Sequence, residues 1–154
     1  VRPAEELRYL ILAAQREGNR MLARRLQPLG VTPSQAEVLR LLHDREPLTL
    51  KGIGELLVCE SGGSPSRLVD RLHAAGLIER RVPDHDRRQV TLTLSAEGRR
   101  IAEHIAGIEE ELYGRIDAAA RGRPVEEVAA FLRSFVSGLP SGDALARRTA
   151  AGDD

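Results

Sequence analysis

Aromatic residues are scarce in this chain of 154: it has no tryptophan, two phenylalanines and two tyrosines. A site walled by stacked rings is therefore hard to build, and a pocket lined by Leu, Ile and Arg is the easier one. The single cysteine, Cys59, excludes an internal disulfide and leaves a free thiol or an intermolecular bridge. No apolar run approaches the roughly 18 residues that cross a bilayer. The opening VRPAEELRYLILAAQREGNR has charges on both sides of a short apolar patch and no small-residue cleavage site. It reads as a helix rather than an export signal, so the expectation is a soluble, cytoplasmic protein with no membrane partner. Lysine is also nearly missing: Lys51 stands alone among 23 basic residues, the rest being arginine. Guanidinium suits bidentate recognition of phosphate and guanine, although the codon bias of a GC-rich genome produces the same enrichment.

Net charge is zero, which excludes a wholly basic coat, yet the charges are segregated. Residues 61–100 carry eight arginines against five acids, whereas residues 101–154 carry six against ten. A neutral chain binds a polyanion if such a basic segment presents its arginines on one face. With 42% hydrophobic residues the chain has enough for a real core, and its length fits one domain or a compact pair of subdomains.

Glycine and proline punctuate the chain into helical stretches and one hairpin. From Pro3 to Leu26, apolar residues recur at helical spacing until Pro28 and Gly30 stop them. Thr32-Pro33 is a helix start, with Val38, Leu39, Leu41 and Leu42 on the buried side. Thr49 caps a short helix whose Leu50, Ile53, Leu56 and Leu57 share a face. Ser64 then caps a helix with Pro65 in its first turn, a stripe of Leu68, Val69, Leu72 and Ala75, and Gly76 as its stop. After Gly76 the period changes to two: Ile78, Arg80 and Val82, and later Val90, Leu92 and Leu94, alternate with polar neighbours. These are two strands joined by the polar, arginine-bearing loop PDHDRRQ. Ser95-Ala96-Glu97-Gly98 opens a long helix whose Ile101, Ile105, Ile108, Leu112 and Ile116 form nearly a heptad seam. Past Gly122 and Pro124 a last helix follows, and PSGDALARRTAAGDD is expected to fray.

Three short helices followed by a hairpin is the order of a winged helix-turn-helix, in which the third helix enters a DNA major groove and the hairpin is the wing. The expected fold is mainly α with a small β-hairpin, a winged helix-turn-helix plus long dimerisation helices from both chain ends. Its parts are 1–30 and 99–140 as dimerisation helices, 31–98 as the DNA-binding domain and 141–154 as a frayed tail. The long helices cannot bury their seams on so small a module, so a second copy is the economical partner.

SRLVDRLHAAGLIERR followed by PDHDRRQVTLTLSAEG resembles the multiple-antibiotic-resistance regulator (MarR) family. That family's pattern runs through a TRLVDRLE-like recognition helix, a GLV-R strand, a D-R-R wing tip and an L-T-x-x-G helix start. The resemblance covers about residues 53 to 98. It implies a homodimeric regulator that binds double-stranded DNA at a pseudo-palindromic operator, usually a repressor, released by a small ligand or a redox signal. Ser64, Ser66, Arg67 and Arg71 match positions on the family's recognition helix, where hydroxyls and the helix N-terminus hold phosphates and Arg reaches base edges. Asp86 matches the residue that braces the wing, Arg88 the one that reaches the minor groove, and Arg87 would assist with backbone contacts. The competing reading of these residues is a surface pairing of Arg67 or Arg71 with Asp70 or Glu79, and a merely solvated turn at the wing. The segment VCESGGSPS is one residue longer than the family's usual turn, which leaves the start of the recognition helix open.

Cys59 lies in that turn and has two readings: a redox switch, since helix N-termini favour thiolates, or a small buried apolar residue. Redox-sensing members of the family commonly carry their cysteine in the N-terminal helix, where this chain has none. An enzyme is not expected. His43, His73, His85 and His104 fall on separate elements, with no paired cysteines, phosphate loop or nucleophile elbow, and neither a metal nor a cofactor is called for. The expected effector is a small apolar or aromatic anion. The alternative function is a dimeric helical protein-interaction module that does not read DNA.

Overall fold

The computed structural model describes residues 1–59, 64–86 and 88–150. Helix α1, Pro3–Leu26, begins with proline in its first turn beside Glu5 and Glu6 and ends on Arg24 and Arg25, so its charges complement the helix dipole at both ends. A short 3-10 turn, Gln27–Leu29, closes on Gly30 with φ 73°. Helix α2, Pro33–Arg45, starts at a reciprocal cap: the Gln35 N–H donates to Thr32 Oγ1 at 3.2 Å and the Thr32 N–H to Gln35 Oε1 at 3.0 Å. Strand β1, Leu48–Thr49, leads into α3, Leu50–Leu56, whose Gly52 N–H is capped by Thr49 Oγ1 at 3.0 Å.

The turn between α3 and the next helix includes Glu60, Ser61, Gly62 and Gly63, which lie outside the described residues. Helix α4 then runs Pro65–Ala74 and stops at Gly76, whose φ of 76° lets the Leu77 N–H reach back to the Leu72 carbonyl at 3.0 Å. Strands β2, Ile78–Arg81, and β3, Thr91–Leu94, form the hairpin. Helix α5, Ala96–Ala120, is capped by Ser95, and α6, Val125–Val136, and α7, Pro140–Ala150, complete the chain.

The sheet is antiparallel in the order β1-β3-β2, with Leu48 opposite Leu92 and Ile78 opposite Leu94. β1 is an addition to the expected hairpin; two residues are too few to display a period. Val82 and Val90, expected in the strands, fall outside them. Leu26, Leu39, Leu42, Ile53, Leu72, Leu92 and Ile105 are fully buried, so one core unites the end of α1, the three-helix unit, the sheet and the first half of α5. Gly98 sits where α5 meets that core. A Cβ there would stand 2.0 Å from the Leu77 carbonyl oxygen, which already accepts the Ser95 N–H at 3.0 Å. Only glycine permits this approach, which is the physical content of the L-T-x-x-G pattern read in the sequence.

The expectation that 141–154 frays is corrected as far as Ala150. This segment is helical, Ala144 is buried against α3, and the Arg147 guanidinium donates to the Glu55 carbonyl at 3.0 Å. Its Ser, Gly, Asp and Thr give poor intrinsic helix propensity, and the docking supplies what propensity does not.

Candidate nucleic-acid interface

The amphipathic pattern of α4 sends Leu68, Val69 and Leu72 into the core and leaves Arg67 and Arg71 on the exposed side. They are four residues apart, so one lies a turn above the other on a common face. Neither has an ion-pair partner among the described residues. Asp70, the competing partner read for them in the sequence, instead pairs with Arg80 of β2 and ties α4 to the wing. Ser64 occupies the N-cap position of α4, but its hydroxyl caps no backbone N–H; it lies 2.8 Å from the Ser66 hydroxyl. Both hydroxyls therefore stand together at a helix N-terminus, where backbone N–H groups and the dipole favour a phosphate oxygen.

At the wing, Asp86 Oδ1 accepts the Arg88 N–H at 2.9 Å, and the Asp86 carbonyl accepts the Gln89 N–H at 3.2 Å. The carboxylate thereby builds the turn. The Arg88 side chain is 96% exposed, with Nε 3.6 Å from Asp86 Oδ1. Arg87 lies outside the described residues. Helix α4 and the turn between β2 and β3 are thus two arginine-bearing projections from one small core.

The wing's root is held by Glu46 at the end of α2. Its Oε2 accepts the Leu94 N–H at 2.7 Å, and its other oxygen pairs with Arg99 of α5. Burial pushes this carboxyl up, but the Leu94 N–H, the Arg99 guanidinium and nearby His43 outweigh it, and the net displacement is below the ordinary 4.5. The unfolded chain therefore binds more protons than the folded one in this range. The stabilisation is complete above about pH 4.5 and disappears as pH falls through the lower folded value. Glu46→Gln is expected to flatten the acid limb of a stability-versus-pH curve measured by urea titration. A variant curve parallel to that of the parent chain would show that Glu46 makes no such contribution.

A second feature is a crevice of about 590 Å³ between α1, α2, α5 and α7. Leu22, Ile105 and Leu112 give it an apolar wall, while Arg40 and Arg148 enter from the other side. Arg40 Nε lies 3.1 Å from Glu109 Oε2, and Arg148 Nη1 2.7 Å from Glu37 Oε1. Tyr113 stands at the rim; burial and Glu109 together raise its phenol above the ordinary 10. Cys59 is half-buried at the crevice, its Sγ 3.7 Å from Ser34 Oγ and its N–H donating to Glu37 Oε2 at 2.8 Å.

Among the described residues no three His, Cys, Asp or Glu side chains assemble as metal ligands, and no helix is long and apolar enough to cross a membrane. The Asp70–Arg80 brace and the Glu37 node had no counterpart in the sequence reading. Both join residues ten or more positions apart, and no local period signals them.

Comparison with known proteins agrees with this geometry. A family model described as "MarR family" matches residues 29–89. The chain is 31% identical over 109 residues to the organic hydroperoxide resistance transcriptional regulator of Bacillus subtilis, covering 71% of this chain and 74% of that one. The chain belongs to the MarR family. Members of this family are winged helix-turn-helix transcriptional regulators and not enzymes. The HTH-type transcriptional regulator FarR of Neisseria gonorrhoeae is 30% identical over 92 residues, 60% of this chain and 62% of its own. Among solved structures, the MepR–DNA complex of S. aureus superposes with a TM-score of 0.77 at 24% identity, over 85% of this chain and 96% of that one. A cysteine-to-serine mutant of E. coli MarR complexed with operator DNA gives 0.68 at 26%, over 88% and 94%. Of the residues singled out in the sequence, Ser66, Arg67 and Arg71 lie on α4 with Ser64 at its N-cap, Asp86 and Arg88 lie between β2 and β3, and Cys59 lies beyond α3.

Proposed function

We propose that this MarR-family regulator acts as a homodimer that binds a pseudo-palindromic operator and represses transcription until a small ligand releases it. The observation that carries the DNA-reading part is the pairing of exposed Arg67 and Arg71 on α4 with a wing tip that Asp86 builds around Arg88. Two-fold pairing puts one such unit on each half-site, with centres roughly 10 bp apart, so that α4 reads the major groove and Arg88 the adjacent minor groove. Ser64 and Ser66 hold phosphate at the helix N-terminus. The relatives that match it, MepR and MarR, have structures with DNA and with operator DNA respectively, which supports the same partner here.

The dimer reading rests on α6, whose Val125, Val128, Phe131, Leu132 and Phe135 are all exposed in the single chain. An apolar helix face of that extent needs a cover, and a second copy provides one. The effector reading rests on the crevice. Its apolar wall and its two arginines suit a small, largely apolar anion, whose charged end would take Arg40 or Arg148 from Glu109 or Glu37. Oxidation of Cys59 is the lesser candidate for the signal.

In vitro selection from a random duplex pool, at about physiological salt with competitor DNA, tests the reading. A two-fold symmetric motif is the expected result; an unenriched pool would favour the interaction module that does not read DNA. On the selected operator, Arg88→Ala is expected to weaken binding by roughly 1–3 kcal/mol with the melting temperature unchanged. Its side chain touches nothing but its own turn, so unchanged affinity would remove the wing from recognition.

A further inference from the structure

Helix α7 does more than cover the back of the DNA-binding unit. The Glu37 side chain of α2 is only 10% exposed, and it uses both oxygens. Oε1 accepts the Val58 N–H at 2.7 Å and Arg148 Nη1 at 2.7 Å, and Oε2 accepts the Cys59 N–H at 2.8 Å. One carboxylate therefore binds the backbone just beyond α3 and the cation of α7 together. Arg45, at the end of α2, donates to the Arg148 carbonyl, and Arg147 donates to the Glu55 carbonyl of α3. These contacts fasten α7 to both helices on which α4 is packed.

The other end of α7 is equally constrained. It leaves α6 through Gly138, at φ 75°, and Gly142 approaches so closely that a Cβ would stand 2.0 Å from the Val136 carbonyl oxygen. α6 is the helix whose apolar face is free for a second copy. The connection from that face to the helix-turn-helix thus has two routes: the continuous helix α5, and the tight α6–α7 corner with its clasp on Glu37. The first half of α5 is packed in the core and tied to α2 by Arg40–Glu109, and the clasp adds a separate support nearer the α6 face.

We propose that Glu37 and Arg148 are positioning residues for operator reading, holding each winged unit at a set angle to the dimerisation arm and so selecting half-site spacing. The inference rests on the dimeric, DNA-reading function proposed above. Removing Arg148 leaves a buried carboxylate with two N–H donors and no cation, which favours opening of the clasp. Neither residue needs to touch DNA for this.

The test uses the full chain and operators selected by it, with half-site separation altered by one or two base pairs. Arg148→Ala is expected to bind the optimal operator about tenfold more weakly, the scale on which residues remote from a ligand alter coupling. Its penalty for altered spacing should shrink while its salt slope stays that of the parent, and Arg148→Lys should restore the preference in part. An unchanged spacing profile would overturn the proposal. So would a uniform loss with a salt slope shallower by about one, which would make Arg148 a phosphate contact. A second measurement needs no operator: the dipolar distance distribution between nitroxides at Ala74→Cys of both subunits, in a Cys59→Ala background. It should broaden in Arg148→Ala. A distribution as narrow as the parent's would overturn the clasp, whereas absence of any dipolar signal in the parent would instead overturn the dimer on which it depends.

Discussion

Phe131→Asp is expected to turn the protein into a folded monomer that no longer retains its two-fold operator. Phe131 lies on α6, none of whose residues is buried in the single chain, and Phe135 on the same helix is 65% exposed. Leu7, Leu10 and Ile11 near the start of α1 and Ile116 late in α5 are exposed as well. The core, by contrast, is complete without them. Each large apolar side chain withdrawn from water contributes about 1.5–3 kcal/mol. In a two-fold interface the substitution occurs twice, and each carboxylate brought into the interface costs several kcal/mol more. Dimer affinity should therefore fall by at least about a thousandfold, equivalent to roughly 4 kcal/mol. Light scattering gives the mass and circular dichroism the helix content. A dimer of unchanged stability would place the interface elsewhere.

The double variant Arg67→Ala, Arg71→Ala should abolish sequence-specific binding while leaving both the fold and the dimer intact. The two arginines share the face of α4 opposite Leu68, Val69 and Leu72, so their removal costs no core contact. Surface changes of that kind alter stability by about half a kcal/mol at most. Each base-edge contact carries about 1–3 kcal/mol of discrimination, and the dimer holds two copies of each. A loss of about a thousandfold or more follows, with operator and unrelated duplex becoming alike. The contrast with Arg88→Ala separates the helix from the wing, since the single wing variant keeps sequence preference in the major groove. Wild-type affinity in the double variant, measured by anisotropy over a salt series, would remove α4 as the reader.

These expectations were unequally legible in the sequence. Caps write themselves locally: Thr32 with Gln35, Thr49 with Gly52, and Ser95 with Gly98 are each three residues apart, so a short window contains the whole device. The same holds for Gly76 at the end of α4 and for the period-two strands, whereas the bracing role of Asp86, which accepts the Arg88 N–H two residues on, came from the family resemblance. The exposure of Arg67 and Arg71 was legible because helical spacing divides α4 into an apolar and a charged face, whereas their proposed part in DNA reading came from the family resemblance.

What failed to show was nonlocal. The heptad seam of α5 looked uniform from Ile101 to Ile116, yet Ile101 and Ile105 fill the chain's own core while Ile116 is exposed. Periodicity identifies an apolar face but not what covers it. α7 looked like a fraying tail because it closes the sequence and opens with Pro140, Ser141 and Gly142, and the groups that hold it, Glu37 and Glu55, are 111 and 92 residues away from their partners. Asp70 had several arginines within reach along the chain, and only the packing of α4 on β2 selected Arg80.

By itself, then, the sequence determined helices α1 to α6, the hairpin, the caps at Thr32, Thr49 and Ser95, and the winged order, because each depends on interactions spanning a turn or a hairpin. The tertiary structure alone decided how the apolar seams are divided between the core and a free face, which carboxylate answers which arginine, and that the C-terminal helix grips the DNA-binding unit. Those outcomes depend on which surfaces meet in space, and an ion pair between distant residues forms only after the core has brought its two helices together.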